Sequence, residues 1–399
     1  MTCHEESHNQ AELKLSIFDS VNLLNQEHWN AIVPPNEVYL TLPYLKALES
    51  TIADRIDFRY ILFYSETFQP VGVAIVQLLR FTNDDLNTED LHDRFGHYVS
   101  EKFIHNLDAR VLLCGNAFST GENGFIFCDT VSSDMAKRNL SRALNRIKRD
   151  EKKANNGVSI ILLKDFWPKS FTEMEVLEHD GFSHFEIDQN MVVKMKPNWH
   201  SFDDYLCDLV TKFRTKVKGI YKKSSALTMK PLTPEEIAQH QERIDQLYGD
   251  VLERADYRFG KLKADTFRMF AESMPKDFRL AGYFLQDELV GFSTCFKGNE
   301  VVDANFVGID YRYNHEYAIY QRMLCDFIQY TINCGLQELR LGRTAEEIKS
   351  TLGAEPIHMK LYVKHKNHIT NKLVKPIVGL IKPSKFETRK PFKAVLYQQ

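Results

Sequence analysis

Arg343, Thr344, Glu346, Glu347 and Lys349 fall within seven consecutive positions, between Gly342 and Gly353, directly after the apolar run LQELRL. A guanidinium and an ammonium placed this way can hold phosphate or carboxylate oxygens. A carboxylate beside them can take a proton. Sheets of α/β proteins bind ligands beyond strand ends, which favours a site at Arg343 and Lys349. Capping explains part of the run in another way: Thr344 would cap a helix starting at Ala345, with Glu347 as the reciprocal carboxylate.

Two further stretches carry chemistry. In SFDDYLCDLVTKFRTKVKGIYKKSSAL, Ser201 to Leu227, helical spacing puts Leu206, Leu209, Val210, Phe213, Val217, Ile220 and Tyr221 on one arc. Lys212, Lys216 and Lys223 flank that arc on one side, and Arg214, Lys218 and Lys222 on the other. These rows suit a phosphorylated ligand, or simply form the solvated face of an amphipathic helix. In VVDANFVGIDYRYNHEYAIYQRMLCDF, Val301 to Phe327, a strand runs to Gly308 and Asp310 before a helix begins. The free amides of such a helix start can receive a pyrophosphate. Tyr313, Tyr317 and Tyr320 share one helix face, as site residues or as packing. Neither GxxxxGK[ST] nor GxGxxG occurs there.

The elements that must position these residues repeat in order. Residues 15–58 read as mostly helical, followed by strands RYILFYSE and PVGVAIVQLLRF and a polar helix-and-loop region over 82–108. Then come VLLCGN, GFIFCDTV, a basic helix over 135–154, VSIILLKDF, a short helix MEVLEHDGF and the strand QNMVVKMK. After Lys196-Pro197-Asn198 a similar order begins: helices over 201–227 and 233–272, strands RLAGYFLQ, ELVGFSTCFKG and VVDANFVGID, a helix over 315–334 and LQELRL. The expectation is two related α/β units, 15–196 and 197–359, between a disordered tail, 1–14, and a basic extension, 360–399. Residues 360–393 hold ten Lys or Arg and one acid, Glu387, which suits an anionic membrane surface or a tail packed across the domain.

Composition bounds the classes. The chain has 399 residues, 43% hydrophobic and 26% charged, with net charge -3, so it is a globular protein and not a general polyanion binder. Seven scattered cysteines without a CxxC pair argue against a zinc site or a disulfide framework and fit a cytoplasmic location. The 14 histidines form no cluster with metal-ligand spacing, and GxSxG, HExxH and DxDxDG do not occur. The opening MTCHEESHNQ does not read as a signal peptide, and no apolar run is long enough to span a bilayer.

Taken together, the three stretches resemble bacterial acyltransferases of the GNAT superfamily, specifically the FemAB-like, peptidoglycan-type branch built from two GNAT units. LVTKFRTKVKGIYKKS is similar to that group's basic Lys-x-Arg helix, and FVGIDYRYNHEYAIYQRML to its strand, ligand loop and helix. LGRTAEEIKSTLGAEP is similar to its closing Gly-Arg-Thr-Ala and Lys-x-x-x-Gly-Ala pattern. VLLCGNAFSTGENGFIF and EHDGF resemble a GNAT unit in the first half. The resemblance implies a mixed α/β fold of two tandem units, each a splayed mixed sheet flanked by helices. The donor would enter between the fourth and fifth strands, here VVDANFVGI and LQELRL.

The resemblance also implies acyl transfer from a thioester, acyl-CoA as co-substrate, to an amine, with no permanently bound cofactor and no metal. In the FemAB branch the donor is an aminoacyl-tRNA and the acceptor a phosphorylated envelope precursor. A third reading is a binding protein that keeps the cleft without turnover. On these readings the carboxylate bases are Asp310, Asp303 and Glu347, and Tyr313 or Tyr320 gives the proton. Lys212, Arg214, Lys218 and Arg343 hold phosphates, Arg258 lines the acceptor side, and Gly308, Thr344 and Lys349 complete the site. DNA is not an expected partner. The usual Gln/Arg-x-x-Gly-x-Gly/Ala loop is absent after Gly308 and after Cys128, so the standard acetyl-CoA mode is in question and the first unit is expected to be structural.

Overall fold

The computed structural model describes residues 12–82, 108–254, 261–365 and 386–394. Alternating apolar side chains in YILFY and VGVAIVQLL produce strands β2 (Asp57–Tyr64) and β3 (Pro70–Thr82), paired antiparallel. β1 (Lys14–Phe18) covers the outer edge of β2. The first half continues with β4 (Asp108–Cys114), β5 (Phe125–Phe127), β6 (Ile160–Phe166) and β7 (Ser183–Lys194). The second half gives β8 (Leu227–Pro231), β9 (Phe278–Leu285), β10 (Glu288–Lys297), β11 (Val301–Ile309), β12 (Glu338–Arg340) and β13 (Glu355–His365).

These strands join into one sheet in the order β1-β2-β3-β4-β6-β13-β7-β12-β11-β10-β9-β8, with β5 off this path on β3. Each half has four antiparallel strands and then one parallel step, β4 to β6 and β11 to β12. The two halves exchange strands at the centre. β13 lies between β6 and β7, and β7 lies between β13 and β12, all antiparallel. Neither half therefore closes its own sheet, and the two halves share hydrogen bonds through their last strands. The composition change at Met359 falls inside β13: Lys360 and Lys364 are strand residues, not the start of an extension. Residues 366–385 of that extension lie outside the described residues.

Helices cover both faces. α1 (Gln26–Asn30) and α2 (Leu42–Ile52) share a core with α8 (Pro234–Gln239), α9 (Gln241–Glu253) and α10 (Ala264–Ser273). Tyr44 of α2 stacks on Phe270 of α10 at 4.9 Å between centroids, so this core joins the halves. Buried aromatics of this size contribute about 2 kcal/mol each, which makes the junction part of the fold and not a loose domain contact. On the opposite face lie α3 (Ser133–Lys153), α4 (Phe171–Met174) and α5 (Val176–His179) of the first half. α6 (Phe202–Asp208), α7 (Thr211–Lys223), α11 (Tyr311–Tyr317) and α12 (Ile319–Asn333) cover that face of the second.

Several expected elements are corrected. Residues 15–58 are a strand, 3-10 turns and two helices, because Leu15 and Ile17 complete the β2 edge. The single helix over 201–227 breaks at Leu209 and Val210, whose ψ values of 142° and 154° are extended, and its end becomes β8. Helix 233–272 is three helices. Helix 315–334 is two, divided at Ala318 with φ 50°. Most of the polar 82–108 region lies outside the described residues.

Candidate active site

The second half opens where β11 and β12 part. They pair only at Val301–Glu338, Val302–Leu339 and Asp303–Arg340, although β11 runs on to Ile309. Two features make the V. β11 carries an extra residue between its pairings with Cys295 and Ser293, and a bulge bends a strand. After Arg340 the chain follows β7 instead: Leu341 N donates to Met191 O at 2.8 Å, and Met191 N donates to Gly342 O at 3.0 Å.

Lys349 lies at that departure. It sits on the five-residue helix α13 (Glu346–Ser350) and is 3% exposed. Its Nζ donates to Arg343 O at 2.6 Å and Gly342 O at 3.3 Å. Burial pulls its pKa down to about 7, against the opposing charge of Glu346. A lysine so placed changes protonation near neutrality. The same Glu346 charge acts on Tyr320, whose phenol burial pushes above its ordinary range. Tyr320 therefore keeps its proton at neutral pH and is a weaker acid than an ordinary phenol.

Arg343 is tied across the halves. Its guanidinium donates to the carboxylate of Asp165 on β6, which is fully buried and also 2.6 Å from Lys164 Nζ. Burial pushes the Asp165 carboxyl up, but Arg343 and Lys164 outweigh it and hold it below the usual range. Asp165 has φ 65°, an unfavourable conformation for a residue with a Cβ, in line with strain stored near a site. Asn190 of β7, fully buried, accepts from Gly342 N at 3.1 Å and leaves its own Nδ2 unpartnered. The Arg343 Nε is likewise buried and unpartnered.

The capping box over Thr344–Glu347 does not form. Thr344 and Ala345 both have positive φ, 65° and 51°, and no side chain caps α13. Glu347 is exposed and pairs at 2.6 Å with Arg389, which holds it below the usual carboxylate range. It faces away from the cleft as the partner of an arginine and so is corrected from base to surface pairing.

Asp310 is corrected too. It caps α11 by accepting from Arg312 N, and it takes 2.6 Å bonds from both Arg312 and Arg243. Those bonds, Arg312 first, bring its pKa down to about 2, far too low for a base at neutral pH. Asp303 sits at the closed end of the V. Burial raises it to about 6 against the pull of Arg340, 3.9 Å away, whose guanidinium lies 4.5 Å from the Trp167 ring centre. Tyr313 packs on Tyr317 and under the Arg312 guanidinium.

Gly308 has a packing reason: a Cβ there would meet the Phe292 ring at 2.2 Å and Leu247 Cβ at 2.8 Å. Lys212 and Lys218 are exposed on α7, and Arg214 reaches Thr211 Oγ1 at 3.5 Å. α7 packs against α11 and α12, and its Lys216 Nζ donates to Thr351 Oγ1 at 3.4 Å. Arg258 lies outside the described residues.

The structure thus gathers Arg343, Thr344, Glu346, Lys349 and Tyr320, with Asp165, Lys164 and Asn190, which the sequence reading passed over. One signal was available: two adjacent charges, Lys164 and Asp165, interrupt the otherwise apolar run VSIILLKDFW.

The corresponding opening in the first half is filled. β4 pairs with β6 from Val111 to Cys114, and residues 115–124 then fold over the end of β6. Lys164 Nζ donates to Asn116 O and Ser119 O at 3.1 and 2.5 Å. Glu122 accepts from Trp167 N and Ser170 Oγ at 2.7 and 2.8 Å. Gly121, with φ 106°, lies against the Trp167 indole.

No family model matches the chain, and no curated protein matches it. Solved structures do. The crystal structure of FemX is 12% identical, covers 90% of this chain and 100% of its own, and has a TM-score of 0.53. L-PGS from Bacillus licheniformis is 11% identical over 86% of this chain and 97% of its own, TM-score 0.48. A tandem GNAT protein from the clavulanic acid biosynthesis pathway is 8% identical over 89% and 99%, TM-score 0.48. The β11–β12 parting, the matching parallel step in the first half and the FemX superposition agree: this chain has the tandem GNAT-like fold of the FemAB type.

Proposed function

We propose that the second half transfers an acyl group from an activated donor to an amine, in the cleft between β11 and β12. The observation that carries this reading is Lys349, buried at the strand parting with its pKa about 7 and its charge turned inward. A neutral amine attacks the donor carbonyl and the bond to the leaving group breaks. Lys349 gives its proton to the leaving thiolate or alkoxide and recovers one from the new amide nitrogen. Arg343 and the unpartnered Asn190 amide supply donors for substrate oxygens, while Tyr311, Tyr320 and Glu346 line the entrance.

The donor we propose is a thioester, acyl-CoA. A specific observation favours a second donor, an aminoacyl ester of tRNA. The helix starts that would receive a pyrophosphate are already served by side chains: Asp310 accepts from Arg312 N, and Asn314 Oδ1 accepts from Tyr320 N at 3.0 Å. The acceptor is a small amine or a phosphorylated envelope precursor. A location in the cytoplasm and contact of the basic C-terminal region with anionic membrane belong to the same proposal. Purified protein is incubated with acyl-CoA or with charged tRNA and a panel of amines, with and without RNase. Product with acyl-CoA, insensitive to RNase, supports the first donor. RNase-sensitive product supports the second. Tight ligand binding without turnover of any donor would replace both by the binding-protein reading.

A further inference from the structure

α13 cannot hold its own shape. Five residues are far short of a self-sustaining helix, its lead-in has two left-handed non-glycine residues, and it has no side-chain cap. Yet it turns Lys349 inward against two carbonyls. Something outside must brace it, and the described C-terminal segment does so. Arg389 N donates to the buried Ser350 Oγ at 3.2 Å, and its guanidinium reaches Glu347. Pro391 O accepts from Val210 N at 2.9 Å, and Lys393 N donates to Asp208 O at 3.0 Å. These bonds flank Leu209, which pairs with Phe392 in an antiparallel bridge at the break between α6 and α7.

Between these bonds Phe392 enters a fitted seat. Its ring centre is 5.5 Å from that of Trp199 and 6.0 Å from that of Tyr205, with Lys196 Nζ 4.5 Å over its face. A Cβ on Gly353 would lie 2.4 Å from the ring, and Gly353 also has φ 96°. The glycine that closes the Lys349 stretch is therefore required by Phe392 as well as by its backbone. Tyr205, under the same ring, donates to Leu352 O at 2.9 Å, linking the seat to the end of the α13 turn.

We propose that residues 389–393 are a clamp, with Phe392 as its anchor, that positions Lys349 in the cleft. Phe392 never contacts the substrate on this account and acts through α13. The proposal rests on the reading of Lys349 as the proton-carrying group, but its test does not need turnover. In the full-length chain, Phe392→Ala is compared with wild type and with Phe392→Leu. Lys349 labelling by an amine-reactive reagent is read by peptide mass spectrometry against exposed Lys218, together with amide exchange over 345–353. Phe392→Ala is expected to speed Lys349 labelling about tenfold or more and to speed exchange in that peptide only, with Phe392→Leu largely restoring both.

If an acyl-transfer assay is in hand, kcat falls with KM unchanged. Should Phe392→Ala fail to fold, Arg389→Gln, which removes the ion pair to Glu347 and leaves the bonds within α13 in place, is expected to give a smaller change in the same direction. Wild-type labelling and exchange in a variant whose 386–394 segment has become protease-sensitive would overturn the clamp. Absence of turnover in every protein, with the labelling change present, would instead count against the catalytic reading and leave the clamp standing.

Discussion

The two halves make the same parallel step and treat it oppositely. In the first, the space beyond Cys114 is occupied by residues 115–124, tied down through Lys164, Trp167 and Ser170. In the second, the space beyond Asp303 is lined by Tyr320, Arg343 and Lys349. The first-half Asp165 nevertheless reaches the second-half Arg343. On the proposed reading the first half serves as scaffold and supplies the orientation of a side chain in the other. A fold present twice does not imply two sites; function follows the residues left facing the opening.

The comparison is broken most severely at Lys349. Lys349→Met should lower kcat about 10²- to 10⁴-fold. It should also stabilise the protein below pH 7. The folded-state pKa lies below the unfolded one, so the unfolded chain binds more protons between about pH 7 and 10 and wild-type stability rises with pH across that window. Thermal melts at pH 6 and pH 9.5 should show the Met variant's advantage shrinking. A constant difference would mean that Lys349 is not depressed.

Arg343→Ala comes next. As a phosphate-holding arginine beyond a strand end, Arg343 could be removed with transfer lost and the fold intact. The buried Asp165 partner changes that: the variant should lose about 2–3 kcal/mol, the low end for a broken buried pair because Lys164 remains. Adding Asp165→Asn should recover stability but not transfer. Recovery of both would remove Arg343 from substrate binding.

Gly121→Val tests the filled opening. Its φ of 106° and the nearby Trp167 should cost about 1–3 kcal/mol, measured by urea melts, while turnover stays within about twofold. A large loss of turnover would show that the first half takes part in the chemistry.

The smallest effect is expected at the closed end of the V. Asp303 is raised to about 6, so the folded state binds more protons between about pH 4 and 6, and stability falls across that window. Asp303→Asn should be more stable than wild type by about 2 kcal/mol above pH 7 and equal to it below pH 4. Equal stability at pH 7.5 would show Asp303 to be an ordinary surface-like acid.

Much of this molecule was written locally. The alternation in RYILFYSE and PVGVAIVQLL, the apolar strand before Gly308 and the repeated order of elements determined most of the strands and the tandem arrangement, because side-chain periodicity acts between near neighbours, while β1, β8 and β13 went unread. The LGRTAEEIKSTLGAE stretch singled out the candidate site for the same reason, through a strand end, a glycine and two cations. Tertiary structure alone decided the rest. Exchange of β7 and β13 joins residues more than 150 positions apart, and no local pattern encodes it. Thr344 and Glu347 matched a capping box, yet Arg389 took Glu347 and the backbone at Thr344 turned left-handed. Asp310 was a free carboxylate on the page until Arg243 and Arg312 closed on it. Lys349 was one lysine among many until burial lowered its pKa. Charge state depends on which dipoles, charges and apolar groups surround a side chain, and in this fold those neighbours come from distant parts of the chain.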